Sequence, residues 1–189
     1  MNIGVAKERA AGEQRVALGP DSIAKLAKGG AAILVERGAG VAAGFPDAVL
    51  EKAGATMLDD AASLYAKSDI VLRVQPPSLD ESRLLAEGSV LICSLPAASS
   101  AELLAALAAR RITALALERV PRITRAQSMD VLSSQSTVAG YKAVLLGAAA
   151  LPKFLPSLTT AAGSIRPARA FVIGAGVAGL QAIATARRL

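Results

Sequence analysis

The feature that most restricts the fold of this chain is a glycine-rich turn near its C-terminus. It reads Gly174-Ala175-Gly176-Val177-Ala178-Gly179, between an apolar run at 170–173 and a helix-like run from Leu180. A strand, a turn with this glycine spacing and a helix begin a dinucleotide-binding βαβ unit. One glycine permits the tight turn, one lets a pyrophosphate approach the backbone, and one packs helix on strand, while N–H groups at the helix start face the phosphates. The pattern therefore predicts nucleotide binding by Gly174, Gly176, Val177, Ala178 and Gly179; the alternative is a tight turn with close helix packing and no ligand.

The predicted βαβ unit is incomplete within these residues. Its second strand, and the acidic residue about 20 positions further on that binds the ribose, would follow Leu189. We therefore expect a truncated Rossmann-type domain whose own residues do not distinguish NAD from NADP. We also expect the 189-residue chain on its own to bind NADH very weakly, because one phosphate turn buries little ligand.

Composition excludes several classes of function. No block of lysine and arginine is interleaved with aromatic residues, despite a net charge of +6, so nucleic-acid binding is not expected. Cys93 is the single cysteine, which excludes an internal disulfide and fits a reducing compartment. Its apolar neighbours indicate a buried strand thiol. The N-terminus lacks a signal peptide and the longest apolar stretch, 143–152, is too short to span a bilayer, so we expect a cytoplasmic protein.

Histidine is absent from the chain. Within these residues this removes Ser-His-Asp and Cys-His catalysis, histidine-ligated zinc and a histidine acid or base. We predict no catalytic side chain and no metal site.

The order of apolar and amphipathic runs predicts an α/β fold with a parallel sheet and crossover helices. Strands are predicted at 2–6, 32–35, 70–74, 90–94, 113–117 and 170–173. Helices are predicted from Pro20 to Gly29 and near 47–53, 59–67 and 101–109, with a longer one over 130–150 whose residues 131, 134, 138, 141, 145 and 148 form one stripe. We expect a parallel-sheet N-terminal domain over 1–135 and a connecting helix with the start of a Rossmann-type domain over 136–189.

The second candidate site is a polar segment, 121–135, which follows the C-terminal end of a predicted parallel strand. Open α/β sheets place their ligands at that end of their strands. The segment contains Arg122, Arg125, Gln127, Asp130 and Ser133, which supply the donors and acceptors that an amide-bearing ring such as nicotinamide requires. The alternative is a solvated loop followed by a helix that Ser128 or Asp130 caps.

A third group of polar residues follows the first and third predicted strands. It comprises Lys7, Glu8, Arg9, Glu13, Arg15 and Arg73. Arginines at strand ends can clamp a carboxylate ligand, whereas Glu8 and Glu13 can instead pair with them in structural salt bridges. Of these two interpretations, the sequence slightly favours structural salt bridges.

Two signatures resemble those shared by alanine dehydrogenase and the NAD(H)-binding part of proton-translocating NAD(P) transhydrogenase. They are residues 7–9 with 12–17, and residues 173–180. The segment 121–130, continued through 132–135 and 139–141, resembles the loop of the transhydrogenase alpha subunit that lies over the nicotinamide. The resemblance implies that Arg122, Gln127, Asp130 and Ser133 hold the nicotinamide and its ribose, and that Gly174, Gly176 and Gly179 hold the pyrophosphate.

Two departures count against alanine dehydrogenase. That branch requires a catalytic histidine after the strand near Cys93, and it has a lysine where this chain has Arg73. Oxidative deamination needs a proton acceptor on the substrate, whereas hydride transfer between two nicotinamides does not. The resemblance therefore favours the transhydrogenase.

The transhydrogenase resemblance implies hydride transfer from NADH to NADP⁺, coupled to proton translocation through a separate membrane component. NAD(H) would bind here and NADP(H) on another component. A homodimer, docked peripherally on the inner-membrane component, is also implied. Two alternatives stay open at this point: an alanine dehydrogenase-type enzyme with a displaced catalytic group, and a truncated fragment that folds but binds nothing.

Overall fold

The computed structural model describes residues 1–96 and 101–189. The chain forms two compact units, Met1–Val120 and Pro121–Leu189. The expected boundary after residue 135 falls inside a long helix, Val131–Ala150. The division into 1–135 and 136–189 stays a prediction.

The first unit contains a six-stranded parallel sheet with crossover helices, as predicted. Its strands are β1 (Asn2–Val5), β2 (Ala32–Glu36), β3 (Ala55–Leu58), β4 (Ile70–Leu72), β5 (Val90–Cys93) and β6 (Thr113–Ala116), in the order β3-β2-β1-β4-β5-β6. All five strands predicted in this part of the chain form. The sixth, β3, was not predicted, because its four residues show neither a long apolar run nor an alternation.

Within residues 1–96 and 101–189, five α-helices connect these strands. They are α1 (Pro20–Lys28), α2 (Asp47–Lys52), α3 (Ala61–Lys67), α4 (Leu79–Leu84) and α5 (Ala101–Ala109). Local signals set their starts: Pro20 stands in the first turn of α1, and Asp60 caps α3 by accepting a hydrogen bond of 2.8 Å from the Ser63 N–H. The unpredicted α4 begins with a capping box between Ser78 and Glu81.

The core of the first unit lies on both faces of the sheet. Alternate residues of β1 serve the two faces, because successive side chains of a strand point in opposite directions. Ile3 and Val5 pack with Ile23 of α1, whereas Ala6 belongs to the cluster around Tyr65 and Leu91. Cys93 is buried in the second cluster, and burial raises its pKa to about 12. The prediction of a buried strand thiol is confirmed.

The second unit contains two α-helices, α6 (Val131–Ala150) and α7 (Val177–Arg188), which pack against each other. Between them lies a short antiparallel hairpin of β7 (Leu158–Thr160) and β8 (Gly163–Ile165), which was not predicted. Across the described ranges, no helix has both the length and the apolar character needed to cross a bilayer.

One predicted strand is wrong. Residues 170–173 are not a strand, although the glycine turn and the helix that follow them both form. Phe171 and Ile173 are each 90% exposed, and no strand in residues 1–96 or 101–189 pairs with this segment. A strand exists only when its N–H and C=O groups are paired with a neighbour, so apolar sequence alone was insufficient here.

The stripe predicted along α6 does not form an evenly buried face. Val138 and Tyr141 are 58% and 49% exposed. The buried residue of this helix is Gly140, which lies against α7. Backbone contact at a glycine therefore replaces the apolar side chains that the spacing indicated.

Candidate functional site

One cleft in the second unit brings together residues from both predicted nucleotide-binding motifs. Its volume is about 640 Å³. It is lined by Pro121, Arg122, Ile123, Thr124, Gln127, Asp130, Ser133 and Val177. Four of the five polar residues singled out in the segment thus share one surface with Val177 of the glycine turn. The residues that do not line the cleft are Arg125, Gly174, Gly176, Ala178 and Gly179. Pro121, Ile123 and Thr124 had not been singled out, although they belong to the same segment.

Asp130 is fixed at the junction between a 3₁₀ helix, Thr124–Met129, and α6. Its carboxylate accepts hydrogen bonds from the Ser133 N–H at 3.0 Å and from the Ser133 hydroxyl at 2.6 Å. The bond from the Ser133 hydroxyl, followed by that from the backbone, lowers the pKa of Asp130. The alternative that Asp130 caps the helix is therefore correct, and the same bonds hold an ionised carboxylate at the edge of the cleft.

Arg122 and Gln127 offer hydrogen-bonding groups to the cleft, and the charge of Arg122 also helps to lower the pKa of Asp130. Both residues are exposed, and within residues 1–96 and 101–189 their side chains form no hydrogen bond with another residue. A guanidinium supplies donors only, whereas a glutamine amide supplies both donors and an acceptor. Together they can bind a planar amide through its oxygen and its NH₂ group.

The three glycines of the turn have different geometric reasons to be glycine. Gly174 has a φ of +103°, in the left-handed region that side chains disfavour. A Cβ at Gly179 would overlap the carbonyl oxygen of Gly174, whereas a Cβ at Gly176 would meet nothing within 4 Å. Gly174 therefore makes the turn, and Gly179 allows the start of the helix to pack against that turn. The backbone at Gly176 is open to approach by a ligand.

The start of α7 presents unpaired backbone donors. Gly176 precedes the helix and provides no side-chain cap. Helical bonding begins with the Leu180 N–H, which donates to the Gly176 carbonyl at 2.9 Å. The preceding N–H groups, from Val177 to Gly179, lie outside the helical ladder and carry the positive end of the helix dipole. Since Val177 lines the cleft, this positive end lies at the cleft wall.

Charge in the second unit favours an anionic ligand. Asp130 is its only acidic residue. Its basic residues are Arg122, Arg125, Lys142, Lys153, Arg166, Arg169, Arg187 and Arg188. A unit with this imbalance creates a positive potential that attracts phosphate groups.

The charged residues of the third group lie at the switch point of the first sheet. The strand order reverses between β1 and β4, and crevices at such points are where open α/β sheets bind ligands. At this point the charged side chains form ion pairs within the protein. Arg73 contacts Glu81 at 2.8 Å, the Tyr65 hydroxyl at 2.8 Å and Glu8 at 3.4 Å, and the side chains of Arg73 and Glu8 are each 2% exposed.

Arg9, Glu13 and Arg15 are also paired, whereas no ion pair within residues 1–96 and 101–189 involves Lys7. Arg9 forms ion pairs with Glu36 and Glu81. Arg15 pairs with Glu13 at 2.6 Å, and the hydrogen bond from Arg15 lowers the pKa of Glu13 to about 2. The predicted pairing of Glu8 and Glu13 with arginines of this group is thus observed, with Arg73 and Arg15 respectively.

Sequence reasoning missed four members of this network: Glu36, Tyr65, Glu81, and Gln75, whose amide donates to the Glu13 carboxylate at 2.7 Å. For Glu81 a signal existed, because Ser78 and Glu81 have the spacing of a capping box. The capping bond, a backbone N–H of Ser78 donating to the Glu81 carboxylate at 2.9 Å, turns this side chain inward. Nothing in the sequence around Tyr65 indicates that its hydroxyl meets Arg73.

Comparison with known proteins identifies the family. Residues 4–139 match the family model described as "Alanine dehydrogenase/PNT, N-terminal domain", and residues 143–189 match "Alanine dehydrogenase/PNT, C-terminal domain". The chain belongs to the alanine dehydrogenase/PNT family. The resemblance seen in the sequence is thereby confirmed.

Within the alanine dehydrogenase/PNT family, the chain is more similar to transhydrogenase subunits than to alanine dehydrogenases. It is 50% identical to an NAD(P) transhydrogenase alpha-subunit protein of Rhodospirillum rubrum, over 100% of this chain and 50% of that protein. It is 35% identical to "Alanine dehydrogenase" of Halomonas elongata, over 96% of this chain and 49% of that protein. The chain thus spans about half the length of these relatives.

A solved structure from the same family confirms the fold. "The crystal structure of transhydrogenase from Sinorhizobium meliloti" superposes with a TM-score of 0.95 at 45% identity, covering 100% of this chain and 56% of that one. Its coverage includes the whole of both units defined above.

Proposed function

We propose that this chain is the NAD(H)-binding part of a proton-translocating NAD(P) transhydrogenase. The observation that carries the proposal is the cleft in which Arg122, Gln127, Asp130 and Ser133 meet the start of α7. Similarity to transhydrogenase alpha subunits supports the same assignment.

The cleft residues and the start of α7 fit three polar parts of a reduced or oxidised nicotinamide nucleotide: the carboxamide, the adjacent ribose and the pyrophosphate. Arg122 and Gln127 would bind the carboxamide, and the Asp130 carboxylate and Ser133 hydroxyl would bind hydroxyl groups of the adjacent ribose. The N–H groups at the start of α7, with Gly174, Gly176, Val177, Ala178 and Gly179, would hold the pyrophosphate. When bound, the nucleotide itself supplies the hydride chemistry.

The role of the protein in this proposal is to orient the nicotinamide and exclude water. Hydride passage between two nicotinamides requires no side chain that accepts a proton from the substrate. A loop of fixed donors, held by the Asp130 cap, is sufficient for that task. The absence of histidine from these residues is compatible with it.

The proposal includes partners. NADP(H) would bind on another component, protons would cross through a membrane component, and this chain would be associated peripherally with that component as a homodimer. The positively charged second unit supports binding of the anionic nucleotide and gives no preference among protein partners.

The test of the proposal is an activity assay on a full-length version, in which residues 1–189 continue into the C-terminal half present in the relatives. With the transhydrogenase partner components, we expect it to reduce an NADP⁺ analogue with NADH. We expect no reductive amination of pyruvate with NADH and ammonia.

Activity with pyruvate and ammonia, without need of a second nicotinamide nucleotide, would contradict the proposal and support the alanine dehydrogenase alternative. Failure to bind NADH would support a non-catalytic role. NADH oxidation that depends strictly on the second nucleotide is the result that the proposal predicts.

A further inference from the structure

We infer that Gly140 is a positioning residue of the nucleotide site, through the distance that it sets between α6 and α7. This inference rests on the proposed function. Both helices begin at the cleft, because Asp130 and Ser133 stand at the start of α6 and Val177 is the first residue of α7. The two helices come into backbone contact at Gly140 and Ala178.

The contact leaves no room for a side chain at position 140. A Cβ there would overlap the carbonyl oxygen of Ala178, and it would lie 2.9 Å from the Ala178 carbonyl carbon and 3.0 Å from its Cα. All three obstacles are backbone atoms, which cannot rotate aside as the end of a flexible side chain can. Any larger residue at position 140 therefore moves one helix away from the other.

Such a movement changes the distances between groups that line the cleft. Gly140 lies seven residues after Ser133, two helical turns along the same face of α6. Ala178 directly follows Val177 and bears one of the free N–H groups at the start of α7. The Gly140 contact thus fixes how far these N–H donors lie from the Asp130–Ser133 pair.

Glycine at this position is otherwise unfavourable. In the interior of a helix it loses more conformational entropy on folding than alanine does, and the φ of Gly140 is not in the left-handed region. Backbone conformation therefore does not require glycine at position 140. Glycine is required there by the contact with Ala178.

The same helix contains a matched control. Gly147 also lies in α6, and a Cβ added there would meet nothing within 4 Å. Gly140→Ala and Gly147→Ala therefore make the same chemical change in the same helix, and only the first obstructs α7.

The test compares these two variants with the wild type in the full-length version. We measure the NADH dissociation constant by fluorescence titration, and the urea midpoint in the same samples. We expect Gly140→Ala to raise the NADH Kd by about tenfold or more, because loss of one hydrogen bond to a charged phosphate group has an effect of about this size. We expect Gly147→Ala to bind within about twofold of the wild type.

The outcomes separate the inference from the proposed function. A wild-type protein that does not bind NADH overturns both. A wild type that binds, with Gly140→Ala binding equally well, overturns the inference alone. A lower urea midpoint for Gly140→Ala with an unchanged Kd assigns Gly140 a purely structural role and also overturns it.

A second measurement covers the case in which Gly140→Ala folds poorly. Hydrogen exchange should be faster in α6 and α7 and unchanged in β1 and β4, since the first unit has a separate core. Faster exchange throughout β1 and β4 would contradict a local role for Gly140.

Discussion

Replacing Arg73 by methionine is expected to destabilise the protein by about 3–5 kcal/mol, the range found when one partner of a buried ion pair is removed. Methionine fills similar space but leaves the Glu8 carboxylate, 2% exposed, without its cation. Glu8 would retain only the backbone N–H donors of Val74 at 2.6 Å and Gln75 at 3.3 Å. Urea unfolding, followed by circular dichroism, measures the loss.

Arg83 provides the control for Arg73. It also pairs with a carboxylate, Asp80, at 3.0 Å, but the two side chains are 70% and 91% exposed. Arg83→Met should change stability by no more than about 1 kcal/mol, because exposed pairs contribute little. Equal losses of stability in Arg73→Met and Arg83→Met would contradict the claim that burial makes the Arg73–Glu8 pair important for the fold.

The double variant Arg73→Met/Glu8→Gln keeps the Arg73 prediction testable if the single variant is unfolded without urea. Removing the unpaired charge of Glu8 should recover part of the lost stability. No recovery would show that Arg73 acts through something other than this pair.

Replacing Asp130 by alanine in the full-length version is expected to slow single-turnover hydride transfer by about 10- to 100-fold, since small misplacements of reacting groups have effects of this order. The carboxylate is held at the cleft by Ser133, with hydrogen bonds of 3.0 and 2.6 Å. Gln127→Ala is expected to slow the same step, because it removes the amide that faces the proposed nicotinamide. Stopped-flow measurement at saturating NADH isolates the step.

Asp130 also caps a helix, so its effect needs a control that removes only a cap. Asp60 has the same arrangement at the start of α3: it accepts hydrogen bonds from the N–H and hydroxyl of Ser63, both at 2.8 Å. Asp60→Ala and Asp130→Ala should lower the free energy of unfolding by comparable amounts. Only Asp130→Ala should slow hydride transfer, and unchanged rates in both Asp130→Ala and Gln127→Ala would refute the nicotinamide assignment.

The inner strands β1, β4 and β5 were predictable because they have no exposed residue on either face of the sheet. Such strands appear as short apolar runs between turn residues, and Val90–Cys93 is one of them. The segment 170–173 has the same character, yet it forms no strand in the described structure. The difference lies in pairing, which depends on distant segments and leaves no local signal.

The cleft was partly predictable for a related reason. Arg122, Gln127, Asp130 and Ser133 are near in sequence, so a short 3₁₀ helix and one helical turn suffice to bring them together. Their approach to Val177 depends on packing of α6 on α7 instead. That packing is made at Gly140, where the absence of a side chain gives no hydrophobic pattern to read.

The ion pairs of the first unit show the same limit. Arg73 and Glu8 each follow a strand, so their meeting at one end of the sheet could be expected. Whether they would pair with each other or hold a ligand depended on Tyr65 and Glu81, which reach Arg73 from two helices. Only the folded arrangement supplies those contacts.

The most direct test of the central claim is to locate the nicotinamide ring in the complex of the full-length version with NADH. Ile123, Thr124 and Val177 each place methyl groups among the residues that line the cleft, and selective methyl labelling makes them observable by NMR. We predict nuclear Overhauser effects from the nicotinamide protons to the methyl groups of Ile123 or Thr124. Effects from the adenine protons to these methyl groups, with none from the nicotinamide, would contradict the account.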